Sequence, residues 1–453
     1  MERFRAQGEP GLARRLRATL RVAGTMLAAA LLAPAVALAL PALPYTDGQV
    51  HEGVATCAGA ACHGAATPHQ DSPILQNEYY IWTREDRHSQ AYKTLLSAES
   101  RRMGELLGLT PHQSPRCLSC HSDFVPEAQR GRRFRLSDGV GCEACHGGSE
   151  RWLESHVERG ATHADNLAAG LYPTEEPAAR ARMCLSCHLG GPDHPIDHEI
   201  MGAGHPPLGF ELDTFTAIEP AHHDLDADYA ARKGIRSSLQ TWADGQLVAA
   251  RRYLEELAGP RLRDGTFPEL VFFDCYACHH EMTDTRWDRT PAPGLAPGRV
   301  RLHGVNLLLV HTLLRQLDER AANAWGSGLR ELHAASQRSV DALQTQAGNL
   351  AAQAGDLEAS LAGRSYSEAE AWALLEAVSQ QALASADYNL AEQATMALEA
   401  IFLTLDRAGK VSGNRSTRMR AAIDEAYKYT NDTKDYRAGA YNAALRQFRG
   451  ALP

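Results

Sequence analysis

The ten cysteines of this 453-residue chain fall into five pairs, and a histidine directly follows the second cysteine of every pair. The five motifs are Cys57/Cys62/His63, Cys117/Cys120/His121, Cys142/Cys145/His146, Cys184/Cys187/His188 and Cys275/Cys278/His279. Two thiols on one helical turn can each bond a haem vinyl group, and the adjacent imidazole can then bind the iron. This spacing is therefore typical of c-type haem attachment.

Zinc binding and disulfide formation are the two other chemistries open to such pairs. A structural zinc site needs four Cys or His ligands grouped as a tetrahedron, and five pairs that each end in Cys-His do not divide into such sites. Disulfides would leave the five histidines unexplained. We therefore predict five covalently bound haem c groups, attached through all ten cysteines. The first motif has four residues between its cysteines, and we interpret it as a wider loop with the same attachment.

The N-terminal residues have the pattern of an export signal. Arginines precede an apolar, alanine-rich run from Val22 to Leu40, and cleavage is expected near Ala39. We predict that residues 1–39 are a signal peptide and that the protein is periplasmic or otherwise exported, which suits haem attachment outside the bacterial cytoplasm. A retained membrane anchor is the alternative, and the prolines at 34 and 41 favour cleavage. No later stretch is apolar enough over a sufficient length to span a bilayer.

Composition separates two further regions. Residues 46–295 hold all five motifs and should form a haem domain of short helices and long loops around stacked haems. Residues 296–453 contain no cysteine, are rich in Ala and Leu, and predict an α-helical bundle of four or five helices. A seven-residue repeat from Val340 to Leu361 predicts a helix seam, within the chain rather than between two chains. The predicted fold class is mainly α.

The charge of the chain bears on its partners. The formal net charge is −9, which disfavours nucleic-acid binding and suits contact with a basic redox protein. The C-terminal helices could serve association with a membrane complex or with a second copy of the chain.

Fifteen of the twenty histidines lie outside the motif positions, enough to supply a second axial ligand to every haem. A second histidine or a methionine gives a six-coordinate iron that passes electrons, whereas an open position can bind a substrate. The count alone does not say which histidines are ligands.

Residues 50–190 resemble the tetrahaem cytochrome c554 family in the order and spacing of their motifs. The segments that carry the resemblance are Trp82 with His88 to Leu95, the run Gly139–Gly147, and His156 to Gly160. The resemblance implies that His88 is the distal ligand to the haem of His146 and that His156 is distal to the haem of His63. It also implies that the haem of His121 lacks a protein distal ligand, unless one of the extra histidines of this chain fills the position.

Beyond residue 190 the chain is similar to a wider group of exported multihaem cytochromes. The shared features are Asp197-His198, Gly204-His205-Pro206, and a last motif that reads Cys-Tyr-x-Cys-His-His. This similarity implies that His198 and His205 are distal ligands. The fifth distal ligand is left open between His303, His223 and His112, with Met201 and Met282 as weaker candidates.

Three functions agree with these features. The first is electron relay between redox partners, with no catalytic residue. The second is an oxidoreductase that acts on a small nitrogen or sulfur compound at a five-coordinate haem. The third is a scaffold subunit docked through its helical C-terminal region. The state of the distal positions separates the first two.

Overall fold

The structure is a computed structural model that describes residues 41–70, 72, 74–264, 268–279, 295 and 300–453. The predicted signal peptide and its cleavage site, and the residues His280 and Met282, lie outside these described residues. Residues 42–453 cluster as one compact unit. Among the described residues, no helix is long and apolar enough to cross a membrane.

The described residues from 41 to 236 form short helices and long connections, as expected for the predicted haem domain, residues 46–295, but that range also contains a helix of 21 residues, Ser238–Ala258. The α-helices before residue 237 are α1 (Val54–Cys57), α2 (Glu78–Arg84), α3 (Ala91–Thr94), α4 (Ala98–Leu107), α5 (Pro115–His121), α6 (Cys142–His146), α7 (His163–Ala169), α8 (Pro177–His188), α9 (His198–Ala203), α10 (Leu212–Ile218) and α11 (Ala227–Lys233).

The described α-helices from residue 238 onward have 12 to 22 residues each. They are α12 (Ser238–Ala258), α13 (Val305–Leu317), α14 (Glu319–Ser336), α15 (Val340–Leu361), α16 (Glu368–Leu383), α17 (Tyr388–Arg407), α18 (Gly413–Thr430) and α19 (Ala438–Arg449). Single 3₁₀ turns occur at Pro44–Thr46, Arg87–Gln90, Pro111–Gln113, Glu127–Gln129, Leu136–Asp138, Ser155–Val157, Pro260–Arg263, Leu270–Phe272, Cys275–Ala277 and Thr433–Asp435. The described residues contain isolated β-bridges but no strand, so the mainly-α fold class is confirmed.

Side-chain caps set the beginnings of the C-terminal helices. Ser367 and Glu370 form a reciprocal capping box at α16, and Asp387 accepts a hydrogen bond from the backbone of Leu390 at the start of α17. The number of helices was underestimated. The described residues from 300 onward form seven α-helices, because α14 was not anticipated and the last stretch, predicted as one helix from about Ser416 to Phe448, is divided by a 3₁₀ turn that Asp432 caps.

Helix α12 is the element that joins the two predicted regions. It packs along α15 and also contacts α8, α13 and α17. Leu247 and Leu254 of α12 share one buried cluster with Leu343, Leu350 and other seam positions of α15. The seven-residue repeat therefore packs within the chain. The boundary at residue 296 stays a prediction, and the hydrophobic core extends across it.

A second stretch with the spacing of one helix is also interrupted, and it lies close to the haem motifs. The sequence from Gln76 to Leu96 has the spacing of one helix, but α2 ends at Arg84. The Asp86 carboxylate then accepts a hydrogen bond from the backbone N–H of His88 and caps a 3₁₀ turn there. This turn sets the direction of the His88 ring.

We predict that Leu350→Ala lowers the free energy of unfolding by about 2–5 kcal/mol, because it leaves a cavity in the buried cluster that α15 shares with α12 and α14. The side chain of Leu350 is 2% exposed, whereas that of Val300 is 44% exposed. Urea unfolding followed by circular dichroism should show this loss, and Val300→Ala should cost far less. Equal losses in the two variants would contradict the described core.

Candidate haem-binding sites

Each motif lies on a short turn of helix that brings its two thiols and its histidine together. Helices α5, α6 and α8 all end at their motif histidine. In the wider first motif, α1 ends at Cys57 and the backbone N–H of His63 donates to the carbonyl of Cys57 over 3.1 Å, which closes the longer loop. In the fifth motif the N–H of His279 donates to the carbonyl of Cys275 over 2.7 Å. None of the ten cysteines forms a disulfide.

Two of the ten predicted attachment cysteines, Cys62 and Cys278, differ from the others because they are exposed, whereas the other eight are half-buried. Each is the second cysteine of a motif that departs from a regular helical turn. Cys62 ends the four-residue loop, where its N–H donates to the carbonyl of Gly59 over 2.8 Å, and this turn carries it outward. Cys278 follows the last residue of the 3₁₀ turn Cys275–Ala277.

This exposure separates the first and fifth motifs from the other three. In the second, third and fourth motifs both cysteines are half-buried, whereas in the first and fifth only Cys57 and Cys275 are. The motif spacing alone supports haem attachment through Cys62 and Cys278, and attachment at these two thiols stays a prediction.

Each motif histidine faces a second histidine from elsewhere in the chain. The ring-centroid distances are 6.3 Å for His63 and His156, 6.4 Å for His121 and His205, 6.3 Å for His146 and His222, 6.3 Å for His188 and His88, and 6.2 Å for His279 and His198.

These distances fit a metal ion between the two rings. An imidazole nitrogen bonds a first-row transition metal at about 2 Å, and the ring centroid lies about 1.1 Å behind that nitrogen. Two imidazoles on opposite sides of one iron therefore have centroids roughly 6.2–6.3 Å apart. Direct ring stacking or a hydrogen bond between the rings would bring the centroids closer. The donor set is thus the one that a bis-histidine haem requires.

Hydrogen bonds orient several of these rings through Nδ1. The acceptors are Glu78 for His63 (3.1 Å), Asp86 for His88 (2.9 Å), the Ala91 carbonyl for His121 (3.0 Å), the Trp152 carbonyl for His156 (3.1 Å) and the Pro206 carbonyl for His205 (2.8 Å). A donor bond from Nδ1 leaves Nε2 as the nitrogen that can bind a metal, and it also fixes the plane of the ring.

Burial keeps the imidazole of His146, in the third motif, neutral, and the neutral imidazole is the form that binds a metal. Desolvation, with a smaller contribution from the neighbouring His222, lowers the pKa of His146 to about 3. Burial likewise lowers the pKa of His121 and of His188. These three side chains are therefore neutral near pH 7.

The pairing of His156 with His63 is the one that the family resemblance implies. His88 is paired differently, because its ring faces His188 rather than His146. Its backbone does reach the third motif, since the carbonyl of His88 accepts a hydrogen bond from the N–H of Val140 over 3.1 Å. The segment therefore contacts the third motif while its side chain serves the fourth.

The partner of His146 is His222, which the sequence reasoning did not select. The adjacent His223 stacks instead on Tyr229, with ring centroids 5.2 Å apart. Buried His303 lies beside Tyr253, and the Nε2 of His112 is 3.4 Å from the side-chain nitrogen of Gln113. The sequence signal was the His222-His223 pair, but it did not indicate which ring turns inward.

The position opposite His121 is filled by His205. The family resemblance left this position without a protein ligand, and the Gly204-His205-Pro206 segment lies beyond the part of the chain that carries the resemblance. All four predicted distal histidines, His88, His156, His198 and His205, thus face a motif histidine.

Neighbouring motifs lie close to one another. The side chains of Cys57 and Cys142 lie close together, and so do those of Cys120 and Cys187. Burial, with a smaller contribution from Glu219, raises the pKa of Cys145, and Cys184 of the fourth motif lies close to it. The first motif therefore adjoins the third, the third adjoins the fourth, and the fourth adjoins the second.

A buried polar cluster attaches residues 44–53 to the third motif. The Glu143 carboxylate accepts hydrogen bonds from the backbone N–H groups of Glu52, Gly53 and Ser149, at 2.7–2.9 Å. Nearby, His51 bonds the Asp123 carboxylate through Nδ1 (2.9 Å) and approaches the Pro44 carbonyl through Nε2 (3.2 Å). Because these bonds engage both ring nitrogens of His51, the cluster has a structural role.

Residues 56–147 match the family model for cytochrome c554 and c-prime. This segment is cytochrome c554-like. It contains the first three motifs, and the match supports a multihaem c-type cytochrome with covalently bound haem c and a function in electron transfer. No curated protein and no solved structure matches the chain.

The His51–Asp123 pair should make stability depend on pH. Burial lowers the pKa of His51, but its bond to Asp123 and the nearby carboxylates more than offset this, and the pKa is raised above 6.5. A raised pKa in the folded state adds stability that is complete below the unfolded value and is lost as pH rises through the folded value.

We therefore predict that Asp123→Asn destabilises the protein most at low pH. Urea unfolding of the two proteins at about pH 5.5 and pH 8.5 should give a difference in unfolding free energy that shrinks at the higher pH. A difference that stays constant or grows with pH would contradict the stated role of this pair.

Proposed function

We propose that the protein is an exported pentahaem c-type cytochrome that relays electrons between redox partners. The observation that carries the proposal is the second imidazole opposite every motif histidine, at 6.2–6.4 Å between ring centroids. Two histidines on each iron leave no position for a substrate, and such irons transfer electrons without binding one.

The ten cysteines would attach the haems through the five motifs, the exposed Cys62 and Cys278 included. The proximal ligands would be His63, His121, His146, His188 and His279. Their distal partners would be His156, His205, His222, His88 and His198, in that order. When bound, each haem supplies an iron that cycles between two oxidation states.

The protein residues tune and connect these sites. A carboxylate on Nδ1, such as Asp86 on His88 or Glu78 on His63, makes the imidazole a stronger electron donor and stabilises the oxidised iron. A backbone carbonyl, as at His121 and His156, does so less. The different acceptors would therefore spread the reduction potentials along the chain.

The close approach of neighbouring motifs supports a relay. The close approaches between cysteine side chains would join the first, third, fourth and second motifs in an unbroken order. An electron that enters at one end would thus meet a neighbouring site at each step. The net charge of −9 suits partners with a basic surface.

The oxidoreductase hypothesis needs an open iron position. The haem of His121 was its strongest candidate, and His205 occupies the opposite side of that site. The Pro206 carbonyl fixes the His205 ring in place through Nδ1. This contact favours the relay over substrate chemistry.

The adjacent histidines His222 and His223 provide a matched test. Carbon monoxide binds ferrous haem only where an axial position is open. We expect the reduced wild-type protein, with five haems per chain, to bind no carbon monoxide. His222→Ala should bind one equivalent, since it removes the ring opposite His146, whereas His223→Ala should bind none.

Optical titration of the three reduced proteins gives the stoichiometry, and the pyridine haemochrome assay gives the haem count. Carbon monoxide binding by the wild type would overturn the relay proposal. Equal binding by the two variants would show that His222 is not the ligand.

A further inference from the structure

One short segment carries two of the paired histidines. Helix α9 begins at His198, which faces His279 of the fifth motif, and the segment ends at His205, which faces His121 of the second motif. The two histidines are seven residues apart. Any movement of α9 would therefore displace both rings together.

The beginning of this segment is held by one carboxylate with two partners. One oxygen of Asp197 caps α9 by accepting a hydrogen bond from the backbone N–H of Ile200 over 2.9 Å. The other oxygen pairs with the guanidinium of Arg116 over 2.6 Å. Arg116 also pairs with Glu199 over 2.9 Å, so it binds two side chains of the same segment.

Arg116 stands next to Cys117, the first cysteine of the second motif. It lies on α5, whose last residue is His121. The ion pairs therefore connect the helix that carries a proximal histidine directly to the segment that carries the distal histidine of the same site. The side chains of Arg116 and Asp197 are each about one quarter exposed, which limits screening by water.

The end of the segment is fixed by its backbone. The N–H of His205 donates to the carbonyl of Ile200 over 3.2 Å, and the N–H of Gly204 donates to that of Met201 over 3.0 Å. Gly204 has φ +120°, a conformation that glycine adopts without strain. Because these bonds fix His205 relative to the rest of α9, a shift of Asp197 at the start of the helix would also move His205.

A separate contact connects the segment to the fifth motif. The backbone N–H of His198 donates to the carboxylate of Glu269 over 2.9 Å, and Glu269 lies shortly before Cys275. The segment from Asp197 to His205 is thus bound on one side to the second motif and on the other to the residues that lead into the fifth.

We propose that Arg116 is a positioning residue for two haem sites at once. Through Asp197 it holds α9 so that His205 faces His121 and His198 faces His279, where each would complete a haem site. This inference rests on the proposed function. It extends the order of sites to first, third, fourth, second and fifth, with α9 as the connection to the last one.

The test uses Arg116→Gln in the holoprotein, which removes the charge but keeps a side chain of similar length. We expect α9 to shift and both distal histidines to detach in part. The reduced variant should bind carbon monoxide at two haems per chain, and its oxidised form should gain high-spin haem at the same two sites. Arg116→Lys, which retains the charge, should restore most of the wild-type spectrum.

Arg263→Gln is the matched control, because it breaks a surface ion pair with Asp341 whose members are 50% and 84% exposed. It should leave all haems low-spin. Asp197→Asn keeps a capping oxygen but weakens the pair with Arg116, so it should change the same two sites even if Arg116→Gln yields too little folded protein.

The outcomes separate this inference from the proposed function. A wild type that binds carbon monoxide would overturn the function. A wild type that binds none, together with Arg116 and Asp197 variants that also bind none, would overturn only the role of Arg116. A change confined to one haem would overturn the joint positioning of two sites.

Discussion

The structure depends on placing two imidazoles on opposite sides of a common centre, five times over. Each pair joins residues that are distant in the sequence, such as His63 with His156 or His146 with His222. Most elements before α12 are too short to have much stability of their own. Their positions are set by the need to carry one ring, one pair of thiols, or the acceptor that orients a ring.

The polar contacts around these rings serve the same requirement. Asp86 ends a helical stretch, caps the next turn and accepts the Nδ1–H of His88, so one carboxylate sets both the chain direction and the ring. Glu143, inside the third motif, binds backbone donors from two other segments. Helix α12 then connects this region to the C-terminal helices through a hydrophobic core that needs no haem.

The haem motifs were readable from the sequence because they depend on local spacing, as at Cys142, Cys145 and His146. The same spacing did not show that Cys62 and Cys278 are exposed, since exposure depends on what packs against each turn. The pairing of histidines was also less predictable, because it depends on how separate segments meet. His88 contacts the third motif through its backbone but directs its ring to the fourth.

Among the helices and loops too, features that depend on the local sequence were predictable, and features that depend on how distant segments meet were not. The extent of α12 and the caps at Ser367 and Asp387 are local and were predictable. The choice between His222 and His223 depends on a loop direction that the sequence pattern does not encode.

The central claim is that all five haems have two histidine ligands, and electron paramagnetic resonance of the oxidised protein tests it most directly. Near-parallel imidazole planes give rhombic low-spin signals, and near-perpendicular planes give signals with a large maximum g value. The two ring planes cross at 9° in the His63–His156 pair and at 30° in the His279–His198 pair. They cross at 84–90° in the three pairs that contain His121, His146 and His188. The account predicts two rhombic and three large-g low-spin signals. A high-spin signal that integrates to one haem per chain would contradict it.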